Sequence, residues 1–332
     1  MTSGLASVVI CAHNNWPDVE MTIESALNQS YQSVEVIVVD NSSTDATQVE
    51  VVKRFGNVLR YIRQQNRHYA GACNTGFGLA RGEFIQFVAG DDVLAPNKIE
   101  KQVKVFLADP SLDIVFGDVR MFQTAGGFAN WTDVTPKPEP DYLKAFIQTH
   151  EQWTGITALG ILFRRRILEK VGAWDEDLYV EDLDYWLRAA CAGCRFGYSP
   201  GSPMGFVRVW PGQKSRNASA MMSSMEAVWQ KALGYVAVEP YHSLIAAKLA
   251  KLRFYLAVRK DNLDRRQALA KLTLARAMSP ETISVLTYVA GCIAVVLPGG
   301  TALVRSPWLA WPRRIVARMV RFRLLGEPAE KT

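Results

Sequence analysis

Acidic side chains stand directly after two apolar runs of the sequence. Asp40 ends one run, and Asp91 and Asp92 follow another, Phe84–Val88, after two intervening residues. Ligands of open α/β sheets bind beyond the carboxyl ends of the strands, where such side chains would converge. Converging carboxylates suit a hard divalent cation and its phosphate ligand. Alternatively, Asp40 caps the next helix and the other two acids lie in a solvated turn, and spacing alone leaves both interpretations open.

Elements that could position these acids alternate along the first 120 residues. The runs Ala6–Cys11 and Val34–Asp40 are almost continuously apolar, as in strands buried on both faces of a parallel sheet. Helical stripes of apolar residues follow Pro17 and Pro96. The alternation predicts a doubly wound α/β sheet flanked by helices. Further strands are predicted at Leu59–Arg63, Phe84–Val88 and Gly155–Phe163, and further helices at Ala70–Ala80, Glu181–Ala192, Leu244–Val258 and Leu263–Met278.

The net charge of +6 is unevenly distributed along the chain. Residues 1–240 contain 22 Lys and Arg against 27 Asp and Glu, which gives −5, and residues 241–332 contain 16 against 5, which gives +11. With 49% hydrophobic residues, the composition is that of a globular protein and excludes wholesale disorder. The basic segment predicts an anionic partner, either a membrane or a nucleic acid.

The cysteines and the amino terminus indicate the compartment. The apolar run Leu5–Cys11 is short and has no Lys or Arg ahead of it, so we expect no secretory signal. Five scattered cysteines fit a reducing compartment better than a disulfide framework. Cys191 and Cys194 form a lone CxxC without a second ligand pair nearby, which favours a structural role. The body is therefore predicted to be cytoplasmic.

Three blocks of the sequence carry a family resemblance. They are SVVICAHNN followed by VEVIVVDNSSTDAT, then GACNTGFGLARGEFIQFVAGDDVLAPNKIEKQV, and then VGAWDEDLYVEDLDYWLRAA. In this order they resemble the family-two glycosyltransferases of the GT-A fold, over roughly residues 5–215. The resemblance implies a metal-dependent, inverting transfer of a sugar from a nucleotide-sugar, with a UDP-sugar as the expected donor.

By this resemblance, polar side chains among the first 81 residues surround the nucleotide. The strand that ends at Asp40 brings its carboxylate to the base or ribose, with neighbours from the adjacent turns. The family also closes a helix over the nucleotide and diphosphate, although residues there could instead lie on a helix surface. The residues implied at the nucleotide-sugar are Asn14, Asp40, Asn41, Ser43, Asn74 and Arg81.

The family's Asp-X-Asp motif corresponds to Ala89-Gly90-Asp91, which is followed by Asp92. The first acid of the motif, which commonly contacts the ribose, is therefore absent. Asp91 corresponds to the acid that binds the metal. It could still hold Mn²⁺ or Mg²⁺, because such ions often take only one or two protein carboxylates beside diphosphate oxygens and waters. Asp92 is assigned to the acceptor side.

Glu181 and Asp182 match the family's Glu-Asp motif at the start of a helix. Inverting transfer needs a carboxylate that takes the proton of the acceptor hydroxyl, and the resemblance assigns this role to Asp182. Acidic residues are also favoured at helix starts by the helix dipole, so the pair could be structural. Glu181 and Trp153 are assigned to the acceptor side, although core packing is the default for a tryptophan.

The loop from Val207 to Ser215 resembles a segment in which the family often has a histidine that completes the metal or diphosphate site. Trp210 stands at that position and cannot ligate a metal. Arg208 and Lys214 are predicted to supply positive charge to the diphosphate instead.

The carboxyl-terminal segment is first apolar and then basic. Thr282–Val304 contains no charged residue, but Pro298 breaks it after about 24 Å of helix, short of the ~30 Å hydrocarbon core of a bilayer. Five arginines between Arg313 and Arg323 then alternate with apolar residues, which is typical of a helix lying on an anionic membrane. Alternatively, Ile283–Leu297 packs against the body or in a homo-oligomer interface.

We therefore predict three segments: a GT-A domain at 1–240, a helical hairpin at 241–281 and a membrane-associating tail at 282–332. The predicted function is transfer of a sugar to a glycan or lipid-linked acceptor at the inner face of the cell membrane, in surface polysaccharide biosynthesis. The alternative is a non-catalytic nucleotide-sugar-binding scaffold, because Ala89 and Trp210 depart from the family's pattern. No Gly-X-Gly-X-X-Gly follows the first strand, which disfavours a Rossmann dehydrogenase. Nucleic acid is not expected as a partner, because the body lacks interleaved basic and aromatic residues.

Overall fold

The computed structural model describes residues 2–123, 127–128, 142–149, 157–259 and 263–296. These residues form two compact units, which are described separately. Unit 1 contains residues 2–123, 127–128, 142, 157–177 and 184–210, and unit 2 contains residues 143–149, 178–183, 211–259 and 263–296. Trp153 and the basic tail from residue 297 lie outside the described residues. The domain boundaries at residues 240 and 281 stay a prediction.

The strands of unit 1 form a large and a small sheet. They are β1 (Thr2–Ala12), β2 (Val34–Asp40), β3 (Arg60–Arg63), β4 (Gly82–Ala89), β5 (Val93–Leu94), β6 (Ile114–Phe116), β7 (Val119–Gln123), β8 (Gly127–Phe128), β9 (Ile161–Arg164), β10 (Phe196–Tyr198) and β11 (Gly205–Arg208). The large sheet has the order β10-β6-β9-β4-β1-β2-β3, and the small sheet the order β5-β11-β7-β8. In the large sheet only β9 runs antiparallel to its neighbours among the described strands. The mostly parallel sheet confirms the predicted fold class.

The register of the central strands brings the predicted acids to one edge. In the parallel pairs of β1 with β2 and β4, Ala12 lies opposite Asp40 and Cys11 lies opposite Ala89. Parallel strands end at the same side of a sheet, so Asp40 and the turn after Ala89 share the carboxyl edge. This edge is where the sequence predicts a ligand.

Helices flank the large sheet and make up most of unit 2. They are α1 (Asp18–Leu27), α2 (Thr47–Phe55), α3 (His68–Leu79), α4 (Lys98–Ala108), α5 (Tyr142–Thr149), α6 (Ile167–Val171), α7 (Glu181–Cys191), α8 (Ala218–Ala232), α9 (His242–Arg259), α10 (Arg265–Met278) and α11 (Val285–Val296), with 3₁₀ turns at Ala158–Gly160, Lys214–Arg216 and Val236–Tyr241. Helix α3 approaches β1 closely at Gly76, where an added Cβ would collide with Val9. Gly76 is thus required by packing, whereas a Cβ added at Gly78 would meet no atom within 4 Å.

The predicted strand Gly155–Phe163 forms only from Ile161 among the described residues. The preceding residues form a 3₁₀ turn in which the side-chain oxygen of Thr157 accepts the N–H of Gly160 at 3.3 Å. This local hydrogen bond competes with strand pairing, which explains the late start of β9.

In unit 2, a carboxylate ties three helices together. Glu226 of α8 pairs with Arg253 of α9 at 2.9 Å and with Lys271 of α10 at 2.5 Å. Helix α10 starts with a capping box in which Asp264 and Gln267 satisfy each other's backbone N–H. Within the described part of the chain, no helix has the length and apolarity to cross a membrane.

Candidate active site

The loops at the carboxyl edge of β1 and β2, together with the start of α3, have an unusual backbone. Among the described non-glycine residues, those with left-handed φ angles are Asn14 (52°), Ser42 (65°) and His68 (58°). Non-glycine residues rarely adopt this conformation, and it persists where surrounding contacts enforce it, often at ligand sites. The enforcing contacts connect these loops: the N–H of Asn14 donates to Ser43 Oγ at 2.9 Å, and Asn41 Nδ2 donates to the His68 carbonyl at 2.5 Å.

Asp40 has a different environment from the one expected for a ligand-binding carboxylate. It is fully buried and accepts the N–H of Ser43 at 2.8 Å and the hydroxyl of Tyr61 at 2.5 Å. Arg63, at the end of β3, lies 3.5 Å away. Burial and the neighbouring carboxylate raise the pKa of Tyr61 above its ordinary value, so the phenol stays a donor. In this structure the Asp40 carboxylate holds the loop after β2 to β3, and its direct contact with the nucleoside stays a prediction.

The other nucleoside candidates differ in exposure. Asn41 and Ser43 are buried, whereas Asn14 is exposed. The side-chain carbonyl of Asn41 accepts from Gln64 Nε2 at 2.7 Å. The side-chain carbonyl of Asn14 accepts the N–H of Thr44 at 2.7 Å. The structure brings the four candidates into one loop cluster, and only Asn14 of the four is exposed to a ligand.

His13 is exposed in the same loop and was missed by the sequence reasoning. Its Nδ1 lies 2.8 Å from the carbonyl of Asn41, so Nδ1 carries the proton and donates, and Nε2 is left as an acceptor. The side-chain amides of Asn14 and Asn66 each lie 3.4 Å from Nε2. A titratable side chain directly after a buried strand is the signal that could have identified it.

Asn74 is engaged with a segment that precedes α7. Its Nδ2 donates to the carbonyl of Trp174 at 3.0 Å and to Glu176 Oε1 at 2.8 Å, and its Oδ1 accepts the N–H of Trp174 at 2.9 Å. Arg67 also pairs with Glu176. In this structure Asn74 therefore holds residues 174–176 in place.

Arg81 lies at the wrong edge of the sheet for the role expected of it. It precedes β4 and pairs with Glu35 at 2.9 Å, near the start of β2. The eight residues of β4 separate it from the acids by roughly 26 Å, at ~3.3 Å per residue. The structure does not bring Arg81 to Asp91, which corrects its prediction as a diphosphate residue.

The turn after β4 carries the predicted metal ligand. The N–H of Gly90 donates to the Cys11 carbonyl at 2.9 Å, and a Cβ at Gly90 would lie only 2.7 Å from Asn15 Oδ1. A glycine is therefore needed for this close approach to the β1 loop. The turn presents Asp91 and Asp92 directly after it.

Arg208 of β11 binds the acidic turn from within. Its N–H donates to Asp92 Oδ1 at 3.0 Å and its Nε donates to the Asp91 carbonyl at 3.1 Å. A third acid, Asp18, lies 3.4 Å from the guanidinium. Arg208 is only 2% exposed and stacks 4.6 Å over Phe122, and its role at the diphosphate stays a prediction. We call Asp18, Asp91, Asp92 and Arg208 the acidic cluster.

Trp210 contacts the acid that is expected to bind the metal. Its indole N–H donates to Asp91 Oδ2 at 2.9 Å, although the side chain remains 40% exposed. Burial raises the pKa of Asp91, opposed by the Trp210 hydrogen bond and by Arg208. Burial and the adjacent Asp91 raise the pKa of Asp92 well above its ordinary value. Burial is the largest cause of both shifts, and the charge of Arg208 opposes each of them.

The acidic cluster fits a divalent cation by charge. Three carboxylates against one guanidinium leave two excess negative charges when all are ionised. No group of three or more His, Cys, Asp or Glu with metal-site geometry exists among the residues that the structure describes. A cation held by Asp91 would therefore take most of its ligands from the diphosphate and water, as Mg²⁺ commonly does.

The second candidate pair begins α7, in a part of the helix that belongs to unit 2. Glu181 is buried and pairs with Lys214 at 2.7 Å. Burial raises the pKa of Glu181 to about 7; Lys214 lowers it and Asp182 raises it further. Asp182 Oδ1 accepts the N–H of Leu183 at 2.8 Å. In this structure Lys214 pairs with Glu181, and the roles of Lys214 at the diphosphate and of Glu181 on the acceptor side stay predictions.

The segment before α7 is held by α8. Ser224 Oγ accepts the N–H groups of Tyr179 and Val180, each at 2.9 Å. The ring of Tyr179 lies 4.7 Å from the ammonium of Lys214, and its hydroxyl donates to the Lys214 carbonyl at 3.0 Å. The Glu181–Lys214 pair is therefore positioned by several contacts within unit 2.

The end of α7 supports the structural interpretation of its cysteines. Burial raises the pKa of Cys191 and of Cys194 to about 11, so their thiols are poor nucleophiles. Gly193 has a left-handed φ of 70°, as expected where a helix ends.

Comparisons with known proteins bear on the fold. A crystal structure of Staphylococcus aureus TarS residues 1–349 in complex with UDP-GlcNAc matches with a TM-score of 0.65 and 17% identity, covering 93% of this chain and 92% of that one. A Pyrobaculum calidifontis mannosyltransferase in complex with GDP-Man and Mn²⁺ matches with a TM-score of 0.56 and 20% identity, covering 97% and 88%. These glycosyltransferases share the GT-A fold, which this chain therefore adopts.

Sequence relatives identify the family. An uncharacterised glycosyltransferase of Nostoc sp. is 30% identical over 174 residues, covering 50% of this chain and 52% of the relative. The succinoglycan biosynthesis protein ExoO of Rhizobium meliloti is 32% identical over 200 residues, covering 56% and 55%. The chain thus spans about half the length of these two curated relatives. The model of glycosyl transferase family 2 matches residues 7–172, half of the chain, and the chain belongs to this family.

Proposed function

We propose that this chain transfers a sugar from a nucleotide-sugar to a hydroxyl group of a glycan or lipid-linked acceptor, with inversion at the anomeric carbon. The observation that carries the proposal is the acidic cluster at the carboxyl edge of the large sheet, which has two negative charges in excess of its buried arginine. A site of this kind suits the cation and diphosphate of a sugar nucleotide. Family membership supports the same chemistry.

The donor is proposed to bind along the carboxyl edge of unit 1. The buried Asp40, Asn41 and Ser43 hold the loops, and the exposed His13 and Asn14 are available to the nucleoside. The neighbours with UDP-GlcNAc and with GDP-Man support a nucleoside diphosphate sugar, and we propose a UDP-sugar as the first donor to test.

A divalent cation, Mn²⁺ or Mg²⁺, is proposed to be held by Asp91, with Asp92 beside it. The Mn²⁺ complex of the Pyrobaculum calidifontis mannosyltransferase supports this assignment. When bound, the cation supplies positive charge that stabilises the departing diphosphate. Arg208 holds the Asp92 carboxylate through its N–H and the Asp91 carbonyl through its guanidinium, and Trp210 holds one carboxylate oxygen of Asp91.

Asp182 is proposed as the base. As the acceptor oxygen forms a bond to the anomeric carbon, the bond from that carbon to the diphosphate oxygen breaks, and its electron pair leaves with the diphosphate. The proton of the acceptor hydroxyl passes to the Asp182 carboxylate. Lys214 neutralises the adjacent Glu181, which reduces the repulsion that a second negative charge would exert on an ionised Asp182.

The class of acceptor and the cellular location are proposed from the similarity to sequence relatives. Similarity to ExoO, a succinoglycan biosynthesis protein, supports a polysaccharide pathway, with the chain peripheral on the inner face of the cell membrane. We retain the division into a GT-A domain at 1–240, a helical hairpin at 241–281 and a membrane-associating tail at 282–332 as part of this proposal.

Release of nucleoside diphosphate from UDP- and GDP-sugars in the presence of Mn²⁺ tests the function. Asp182→Asn and Asp91→Asn are each expected to lower turnover on the order of 10²–10⁴-fold, because they remove the base and the cation ligand. Glu239→Gln, which removes an exposed acid of unit 2, is the matched control and should retain activity. Turnover that survives both active-site substitutions would contradict the assignment.

A non-catalytic nucleotide-sugar-binding scaffold is the second candidate. The hydrogen bond from Trp210 to Asp91 favours it, because the indole occupies an oxygen that a metal could use, and Ala89 replaces an acid of the family motif. The scaffold predicts UDP binding by calorimetry without turnover of any donor, and no effect of Asp182→Asn.

A further inference from the structure

A row of apolar side chains on α11 is exposed to solvent. Val285, Val289, Ile293 and Val296 are between 43 and 61% exposed. Their spacing of four, four and three residues places them on one face of the helix. The outer face of a helix in a soluble protein usually carries polar and charged residues, yet α11 contains no charged residue at all.

The opposite face of α11 is fixed by packing within unit 2. Ala294 and Val295 are buried in the cluster formed with α9 and α10. Gly291 lies so close that an added Cβ would be 2.8 Å from Phe254 and 3.1 Å from Leu272. The exposed row therefore cannot turn inward without breaking this cluster.

The length of α11 excludes a membrane span as the way in which the exposed row is buried. Its twelve residues span about 18 Å, which is shorter than the ~30 Å hydrocarbon core of a bilayer. With one face packed against α9 and α10, the helix can meet a lipid phase only side-on, with its axis parallel to the surface.

We propose that the exposed row of α11 is the surface by which this chain docks on an anionic lipid bilayer. The inference rests on the membrane association included in the proposed function, and it names the residues that enter the lipid. Charge selects the occupant: residues 297–332, which follow α11 directly, contain seven Lys and Arg against two Glu, a net +5. Two copies joined through this row would bring two such segments together, whereas an anionic bilayer attracts the basic residues and accepts the apolar row.

Flotation of the full chain with vesicles of equal parts phosphatidylglycerol and phosphatidylcholine tests the inference. The wild-type chain should float with the vesicles, and V289E/I293E should reduce the bound fraction by about tenfold or more, because two carboxylates oppose insertion. The matched control is V49E/V52E, which places the same charges on exposed valines of α2 in unit 1 and should float like wild type. Failure of the wild type to float, or equal flotation of V289E/I293E, overturns the proposal.

A second, milder variant tests whether the loss of vesicle binding results from misfolding. V289S/I293S keeps small side chains at exposed positions, and it should also float less than wild type while unfolding at the same temperature. Light scattering without lipid addresses the competing occupant: a wild-type dimer that becomes a monomer in V289S/I293S would overturn the proposal in favour of a second copy.

Turnover of the soluble nucleotide-sugar separates this inference from the proposed function. The α11 variants should hydrolyse the donor at the wild-type rate, since no proposed catalytic residue is changed. Normal turnover with unchanged flotation refutes the docking surface alone. Absence of turnover in the wild type, with flotation lost in the variants, refutes the enzymatic proposal and leaves the docking surface supported.

Discussion

The two groups of functional acids in this chain balance their charge in opposite ways. In unit 1, the one guanidinium of Arg208 lies 3.4 Å from Asp18, and its charge also opposes the raised pKa values of Asp91 and Asp92. In unit 2, Glu181 has its own ammonium group from Lys214 at 2.7 Å. The first group is deficient in positive charge and the second is neutral as a pair.

The difference indicates which group is completed by a ligand. Burial raises the pKa of Asp91, Asp92 and Glu181 alike, so burial alone does not distinguish the groups. What distinguishes the two groups is the number of acidic side chains for each basic side chain. A cation with an anionic donor would complete the acidic cluster, whereas the Glu181–Lys214 pair needs none and can serve the neighbouring Asp182 as a neutral support.

Removal of the Arg208 guanidinium should have the largest effect on stability. Arg208→Met leaves three acids together without their guanidinium, and we expect a loss of about 3–5 kcal/mol in the free energy of unfolding near neutral pH. Urea unfolding measures the loss, and Arg60→Met, which removes an exposed arginine of β3, is the control. Because protonation of the acids relieves the repulsion, the difference between variant and wild type should shrink at acidic pH. A small, pH-independent loss would contradict the charge deficit.

In the second group, the Glu181–Lys214 pair of unit 2, stability should depend on pH through the buried Glu181. Its pKa is raised from 4.5 to about 7 in the folded chain, so the folded state binds its proton more tightly than the unfolded state. The contribution of this group is therefore full below pH 4.5 and is lost as the pH rises through 7, by up to about 3 kcal/mol.

Glu181→Gln should remove this slope. Urea unfolding of variant and wild type across the interval from pH 4.5 to about 7 measures it, and Glu239→Gln, at an exposed site, should leave the slope unchanged. If the free energies of unfolding of the wild type and of Glu181→Gln changed in parallel with pH, Glu181 would have an ordinary pKa.

Removal of the Lys214 ammonium should destabilise the fold less than removal of the Arg208 guanidinium. Lys214→Met leaves only one acid, which can take up a proton, and Lys214 is itself 39% exposed. We expect a loss of about 1 kcal/mol in the free energy of unfolding at neutral pH. Lys53→Met, at an exposed site of α2, is the control. A loss equal to that of Arg208→Met would remove the distinction between the two groups.

The smallest effect on stability is expected for Trp210, and it sharpens the comparison by a different readout. Trp210→Phe removes the N–H donated to Asp91 but keeps an aromatic ring, so stability should change by about 1 kcal/mol or less. Mn²⁺ affinity, measured by calorimetry, should rise several-fold because a carboxylate oxygen is released. Trp210→His, which adds a metal ligand, should raise it further. A fall in affinity in both variants would show that the indole supports the cation site.

The secondary structure around the site follows from local patterns. The apolar run Val34–Asp40 is predicted and observed with the same bounds, because strands buried on both faces need apolar residues throughout. The same reasoning placed Asp91 and Asp92 at the carboxyl edge with Asp40, since parallel strands end on one side of a sheet. Helices α9 and α10 were likewise found within two residues of their predicted bounds by their apolar stripes.

The partners of the site residues could not be predicted in this way. Arg208 and Trp210 lie more than one hundred residues after the acids that they contact. They reach them because β11 pairs antiparallel with β5, a two-residue strand that no local pattern reveals. For Asp40, Arg81, Arg208 and Lys214 too, a sequence motif shows which charge is present, and not which neighbour neutralises it.

By itself, the sequence determined the alternation of strands and helices, the family and the positions of the acids along the chain. These properties depend on side-chain periodicity and on short motifs, which are local. The tertiary structure alone decided that Arg208 contacts Asp18, Asp91 and Asp92, that Lys214 pairs with Glu181 and that one apolar face of α11 stays exposed. These properties depend on contacts between distant segments and on burial, which exist only once the chain has folded.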